Sequence, residues 1–429
     1  MDGRDRNPLE HHSLFLGRVK ANLSSCDKRP SALTPARRVT CAVQRRQLLQ
    51  SIPGALGGLS VFGALADETA APAKPAFRPA SPLAPVRAQP DRLIDFAVCT
   101  RPFRPQGPRI EAQRLHGKNV VHHYGHGGSG WSLSWGSALR ALPLVLATRE
   151  RHIAIIGCGA IGLTTARVAQ RAGLRVRIYC KERPPEVRSS AATGVWSPDS
   201  RLYAAEHATP VVAAQWEAMA RASFKTWQTL LGLPGEPVAW HDGYVLSDIP
   251  FGEPLPDTGP NDEPDYAELD ASIQDLRPRA VTLRPEHHPF KAPHVRRFTQ
   301  MVFNLASYQR LLMDDFLREG GEIEQRDFAH ARQIAGLRER TIVNCTGYGA
   351  KALFGDTTIV PIRGQTARLV PQPEVDYALY LRGVHVSMVP RRDGLLVQAQ
   401  GPRDFNNEDA RVDRAESEEA VRRLAAVFA

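Results

Sequence analysis

Gly157-Cys158-Gly159-Ala160-Ile161-Gly162 stands between a short apolar run, Ile153 to Ile156, and a stretch with helical spacing of its apolar residues, LTTARVAQRAG. A second apolar run, Val176 to Tyr179, follows. Strand, glycine turn, helix and strand in that order make a βαβ unit, which commits the chain to a parallel sheet. Gly157 permits the tight turn, Gly159 lets the backbone approach a pyrophosphate, and Gly162 lets the helix pack on the strand. The helix start, at Ala160 and Ile161, stabilises the anion. Glu182 is the acid expected at the ribose hydroxyls. Its neighbours Lys181 and Arg183 would also suit a 2′-phosphate, so this unit alone leaves the dinucleotide open.

A second glycine-rich run lies upstream: His122-His123-Tyr124-Gly125-His126-Gly127-Gly128-Ser129-Gly130-Trp131-Ser132-Leu133-Ser134-Trp135-Gly136-Ser137-Ala138, with Val120 and Val121 ahead of it. Further distinctive segments are Thr100-Arg101-Pro102-Phe103-Arg104-Pro105, Ser189 to Trp196, Ile342 to Gly347 and Arg363-Gly364-Gln365. Together they resemble the D-amino-acid oxidase family over roughly residues 91 to 405. In that family the glycine-rich signature lies near the C-terminus, whereas here it precedes the dinucleotide turn. The chain therefore resembles a circularly permuted member, with Ala138 to Glu150 as the short connection. Permutation is physically reasonable because domain termini usually lie at the surface and close together.

The resemblance implies an α/β fold: a discontinuous, permuted Rossmann-like FAD domain and a second, α+β substrate domain built on a mostly antiparallel sheet, with strands in about 235–330 and 375–405. The boundaries expected are 91–198 and 336–365 for the FAD domain, and 199–335 and 366–429 for the substrate domain. FAD contacts are expected from Gly157, Gly159, Ala160, Ile161, Gly162, Lys181 and Glu182. Thr193, Gly194 and Val195 would lie against the flavin ring, and Thr346 and Gly347 near the adenosine pyrophosphate. Gly127, Gly128, Ser129, Gly130, Trp131 and Ser132 would complete the cofactor site, with the Ser132 hydroxyl at the pyrimidine end of the flavin.

The implied reaction is oxidative deamination of a D-amino acid by hydride transfer from Cα to flavin N5, with oxygen reduced to hydrogen peroxide and 2-oxo acid and ammonia released. It needs an anchor for the substrate carboxylate, and Arg101 matches the arginine that serves the family in this way. Arg104 and Arg109 are the runners-up. The Gly128 carbonyl is a candidate acceptor for the substrate amine. The sequence departs from the family where a tyrosine touches the substrate carboxylate: the corresponding stretch is Val384-His385-Val386-Ser387-Met388-Val389-Pro390, with Ser387 or His385 nearest that place. His385 could favour an acidic substrate, and Tyr380 and Tyr244 are further candidate wall residues. Two other readings stay open, a flavin dehydrogenase or oxidase of related amines using another electron acceptor and a catalytically silent flavin-fold binding protein.

Charge bears on partners. The formal net charge is +10 over 429 residues, and residues 1–66 carry a surplus of six of it. With the excess at one end and no nucleic-acid-binding motif, nucleic acid is not an expected partner. Residues 1–66 read as a targeting segment: Arg45-Arg46, then an apolar run from Ile52 ending in Ala64-Leu65-Ala66, resembles a twin-arginine export signal, with Gln44 and Leu48 as departures. Export to the periplasm or medium through the twin-arginine machinery is the expectation, with a cytoplasmic protein if that reading fails. The run is too short for a stable membrane span. Residues 67–90, rich in Ala and Pro, read as a linker. The six cysteines form no CxxC pair, and the histidines of the signature suit a metal only on a helix, so no metal is expected. Expected small-molecule partners are a D-amino acid and oxygen, and a homodimer is one open assembly.

Overall fold

The computed structural model describes residues 83–256, 262–401 and 403–428. The targeting segment at 1–66 and most of the linker lie outside the described residues. In chain order the elements are β1 (Leu93–Phe103), β2 (Arg109–Leu115), β3 (Lys118–Tyr124), α1 (Gly130–Leu146), β4 (His152–Ile156), α2 (Ala160–Arg171), β5 (Arg175–Cys180), α3 (Pro210–Gln228), β6 (Val238–Ser247), β7 (Val281–Leu283), β8 (His294–Phe303), α4 (Leu305–Arg318), β9 (Glu322–Gln325), β10 (Thr341–Asn344), α5 (Ala350–Phe354), β11 (Val360–Leu369), β12 (Ala378–Leu381), β13 (Val386–Arg391), β14 (Gly394–Ala399) and α6 (Arg414–Ala425). Among the described residues no helix is long and apolar enough to cross a membrane.

They form two sheets. The smaller has the order β2-β3-β10-β4-β5-β9 and is parallel apart from the β2–β3 pair. β4 reads Ile-Ala-Ile-Ile after His152 and these four residues are buried, the pattern of a parallel strand covered on both faces. Helices α1, α2 and α4 pack into the large core on this sheet through Leu133, Leu163 and Leu312, among others. The larger sheet has the order β1-β11-β14-β13-β12-β6-β8-β7 and is antiparallel apart from the β12–β6 pair. Its face carrying Val386, Met388, Leu395 and Val397 packs with Ala420, Val421 and Leu424 of α6 in a second core. Residues alternate across a strand, so Ser387, Gln398, Gly364 and Arg101 belong to the opposite face.

Four local features depart from the sequence reading. First, β1, grouped with the dinucleotide half, pairs with β11 in the larger sheet. Second, β9, within the span assigned to the antiparallel sheet, instead joins β5 at the edge of the parallel one. Third, Ala138 to Glu150 is mostly not a connection: α1 runs on through Leu146, and only a short turn leads to His152. The glycines of α1 do not prevent this because packing requires one of them. A Cβ on Gly136 would stand 2.0 Å from the Met219 carbonyl oxygen of α3, so that helix crossing exists only with glycine there. Fourth, the end of the Ala/Pro-rich stretch is packed. Val86 and Ala88 are buried in the second core, while Gln372 donates to the Pro85 carbonyl at 2.8 Å and Tyr377 to that of Ala84 at 2.5 Å.

Candidate functional site

One cavity of about 920 Å³ opens between the carboxyl ends of the parallel strands and the free face of the larger sheet. Ligands of open α/β sheets bind at this end of the strands, and the volume is at the upper limit of ordinary small-molecule sites. The dinucleotide turn forms one wall. Gly157 adopts φ +109°, a conformation that favours glycine, and a Cβ there would meet the Cys345 carbonyl oxygen at 2.5 Å. Gly157 N–H donates to the Tyr179 carbonyl at 2.8 Å, tying the turn to β5. Gly159 precedes the first turn of α2, whose positive end faces the cavity beside Ser189. This glycine cradle and helix terminus fit a dinucleotide pyrophosphate.

The end of the cavity next to β5 is walled by Lys181, Glu182 and the segment Arg326–Ala329, a segment without a local sequence motif. Lys181 is paired with Asp327 at 3.2 Å. This exposed ion pair draws one of the two cations beside Glu182 toward a protein carboxylate. Thr346 and Gly347, from the turn after β10, also line the cavity, and Asn344 fixes that turn by accepting from the Thr346 hydroxyl at 2.8 Å.

The signature run enters as strand β3, turns through Gly125–Ser129 and leaves as α1. The turn is locked by Gly127 N–H to the Pro102 carbonyl and Gly128 N–H to the Ser200 carbonyl, each at 3.0 Å. These amides are therefore used within the protein, while Gly127, Gly128, Gly130 and Trp131 still border the cavity. The three histidines are held by protein partners, and His123 and His126 also border the cavity. His123 bridges the Thr165 and Ser137 hydroxyls, both at 2.9 Å, His126 reaches Ser137 at 3.0 Å, and His122 meets the Asn344 amide at 3.0 Å. Burial drives their pKa values down, to about 4 for His122 and about 3 for His126 and well below the ordinary value for His123, so all three are neutral. Among the described residues no cluster of His, Cys, Asp and Glu suits a metal ion.

At the other end of the cavity stands Arg101. Its guanidinium lies over Gly364 and donates to the Arg363 carbonyl at 2.8 Å. It pairs with no carboxylate among the described residues. Burial lowers its pKa, Arg201 on the same cavity wall acts in the same direction, and Asp404 and Glu263 oppose them. Arg104 and Arg109 are engaged elsewhere, Arg104 with Asp356 at 3.2 Å and Arg109 with Glu111 at 2.6 Å and Tyr124 at 3.0 Å. Of the three arginines only Arg101 lines the cavity. The flanking Arg363 and Gln365 point to the far face, where Arg363 pairs with Glu416 at 3.3 Å and Gln365 donates to Ser417 at 2.8 Å. Gly364 is thus the open side of a motif whose other two residues hold α6.

The cavity wall therefore brings together Arg101, Gly127, Gly128, Gly130, Trp131, Gly157, Gly159, Ala160, Ile161, Lys181, Glu182, Thr193, Thr346 and Gly347. It does not include Gly162, Ser129, Ser132, Gly194, Val195, Ser387 or His385. Gly162 packs on the turn, where a Cβ would meet the Gly157 carbonyl oxygen at 2.1 Å. Ser129 donates to the Ser200 carbonyl at 3.0 Å, and Gly194 accepts from Phe303 N–H at 2.6 Å. Val195 is bridged to Val302. The Ser132 hydroxyl is held by Ser197 N–H at 2.8 Å, which ties α1 to that same loop rather than turning toward a ligand. His385 sits exposed in the β12–β13 connection, and Ser387 lies one strand beyond the wall, paired with Gln398 in register. Tyr380 donates to Gln300 at 2.8 Å and Tyr244 is in the second core, so neither lines the cavity. In their place stand Gln398, Gln400 and Arg201, none of which sequence reading singled out.

Residues 152–429 match the family model described as FAD dependent oxidoreductase. D-amino-acid oxidase of Dictyostelium discoideum is 26% identical over 284 residues, covering 64% of this chain and 72% of that protein. The D-amino-acid oxidase of Rubrobacter xylanophilus is 28% identical over 215 residues, 50% of this chain and 58% of its own length. Among solved structures, L-amino acid deaminase from Proteus vulgaris aligns over 64% of this chain and 73% of its own, with 14% identity and a TM-score of 0.41.

Proposed function

The chain belongs to the DAO family of FAD dependent oxidoreductases, and on that premise we propose that it is an oxidase of D-amino acids. The observation that carries this reading is Arg101, a cation on the cavity wall that pairs with no carboxylate among the described residues. A buried charge without a partner is costly, and a carboxylate arriving in the cavity supplies the missing anion through a charge-assisted, two-pronged contact. FAD would be held by the Gly157–Gly162 turn, Glu182 and the signature turn, and would supply the hydride acceptor for an oxidation in which oxygen becomes hydrogen peroxide and water releases 2-oxo acid and ammonia. Arg101 fixes one end of the substrate. The carbonyl of Gly128, whose N–H is anchored on Ser200, is the acceptor that holds the neutral amine. Both act by orientation, and neither has to remove a proton from carbon.

The test is anaerobic mixing of the yellow holoenzyme with a panel of D-amino acids, their L-enantiomers and amines lacking a carboxylate. Bleaching of the flavin by D-amino acids is expected. Bleaching confined to the L-series or to simple amines would refute the substrate assignment, and no bleaching by any of them would favour a silent flavin-fold protein.

We also infer that the chain order is a circular permutation of the family's usual one. In support, the family match begins at His152, the first residue of β4, while β3 and α1, which carry the signature, come earlier. α1 is joined to β4 by a short turn. Leu83 and Ala84 near one end of the described residues and Val427 and Phe428 at the other pack against the same core cluster. A reordered chain, 152–428 followed by a linker and 83–147, should fold, bind FAD and react as the parent does. Soluble but flavin-free product would contradict the permutation.

A further inference from the structure

We infer that Gln398 is the second substrate anchor, its side-chain amide donating to the same carboxylate that Arg101 holds. The inference rests on the D-amino-acid reading above and names the group that stands in for the tyrosine absent at Ser387.

Gln398 is 3% exposed and lines the cavity, yet its Nε2 has no hydrogen-bond partner. Buried amide donors are almost always satisfied, so an orphan on the wall of a ligand cavity points to a ligand atom. The sheet register relates this amide to Arg101. Gln398 pairs with Thr366 of β11, and Thr366 pairs with Ala97 of β1, four residues before Arg101. The Arg101 side chain does not stand upright on β1. It lies over Gly364 of the intervening strand, within reach of a Cβ at that position, and so leans toward β14. The guanidinium over Gly364 and the Gln398 amide border the same cavity. A carboxylate held by Arg101 presents its remaining lone pairs to that space, and two donors from two strands then fix its plane.

The neighbours are not equivalent. The Gln400 side chain accepts from Arg201 at 3.3 Å, and Arg201 is paired with Glu263 at 3.0 Å. Ser387, in register with Gln398, lies behind it as seen from the cavity. Gln398 alone of these offers a buried, unspent donor beside Arg101. The charged side chains that act on Arg101 are Arg201, Glu263 and Asp404.

The experiment uses holoenzyme and two variants, Gln398→Leu and Gln398→Glu, with benzoate as an unreactive carboxylate read by its perturbation of the flavin spectrum. For Gln398→Leu the benzoate Kd and the KM for D-amino acids should rise about tenfold or more with kcat little changed, the signature of lost uniform binding. Flavin content and the spectrum of the unliganded enzyme should stay as in the parent. Gln398→Glu should bind benzoate more weakly still at neutral pH and recover as the pH falls, because the introduced carboxyl regains a donor on protonation. A purely structural role would not produce that recovery. An unchanged benzoate Kd in Gln398→Leu, or a shifted spectrum of the unliganded flavin with benzoate affinity intact, would overturn the inference and assign the amide elsewhere. Loss of flavin in both variants would make Gln398 structural and overturn it too. A parent enzyme that neither binds benzoate nor is bleached by any D-amino acid would sink the substrate reading itself, a result distinct from a parent that does both while the variants match it.

Discussion

Arg101→Ala should lower kcat/KM for D-amino acids on the order of a hundredfold while leaving flavin content and thermal stability intact. The loss is about 3 kcal/mol of transition-state binding, the scale of a desolvated charge-assisted bidentate contact. The second half of the expectation is the more diagnostic. Arg101 is committed within the protein to one backbone carbonyl, that of Arg363, and water in the enlarged cavity can satisfy that oxygen. Among the described residues Asp404 and Glu263, the carboxylates that act on Arg101, keep ion-pair partners of their own in Arg363 and Arg201. Removing an unpaired, partly buried cation relieves the free protein of its desolvation cost, so the melting temperature should be equal to the parent's or higher. Amines without a carboxylate should be affected far less than D-amino acids. A variant with parental kcat/KM would place the carboxylate anchor elsewhere, whereas one that also loses flavin would show that Arg101 supports the cofactor.

What was legible in the sequence was local. Ile153 to Ile156, the glycine turn and α2 form a unit whose hydrophobic periods, turn residues and helix start all lie within about thirty residues, and each agrees with the others. Arg101 was singled out because Thr100 to Pro105 resembles the family's stretch, and what separates it from Arg104 and Arg109 is tertiary: Asp356 and Glu111 occupy the other two. The extent of α1 was hidden because its decisive fact is the Met219 carbonyl against Gly136, a contact between residues 83 apart in sequence. Gln398 was hidden for a related reason. A glutamine within a strand carries no local signal, and its place on the cavity wall follows only once β14 is paired with β11 and β11 with β1. Ser387 shows the converse. Matching the family's order led to the sheet face that borders the cavity, but that face spans eight strands and the cavity touches only some of them.

Gly364→Ala should lower activity nearly as far as loss of Arg101, through Arg101. A Cβ at this position would lie 2.6 Å from Nη2 of Arg101 and 2.7 Å from its Cζ and Nη1. Reaching ordinary contact requires the guanidinium to retreat by roughly 1 Å, and a misplacement of that size in a positioning group costs about a hundredfold in rate. The fold should tolerate the change. Gly364 lies within β11 and is not among the glycines in the left-handed region, and the obstructing atoms are the far end of a flexible side chain. That distinguishes it from Gly157, where an added Cβ would meet a backbone oxygen that cannot step aside. Flavin content and melting temperature should therefore remain close to the parent's, with the loss confined to substrates that carry a carboxylate. The decisive comparison is the double variant. If Gly364 acts only by leaving room for Arg101, adding Gly364→Ala to Arg101→Ala should cost almost nothing further, a strongly non-additive result of the kind expected for residues in contact. Additive losses in kcat/KM would mean that the missing side chain at 364 makes room for something other than the anchor.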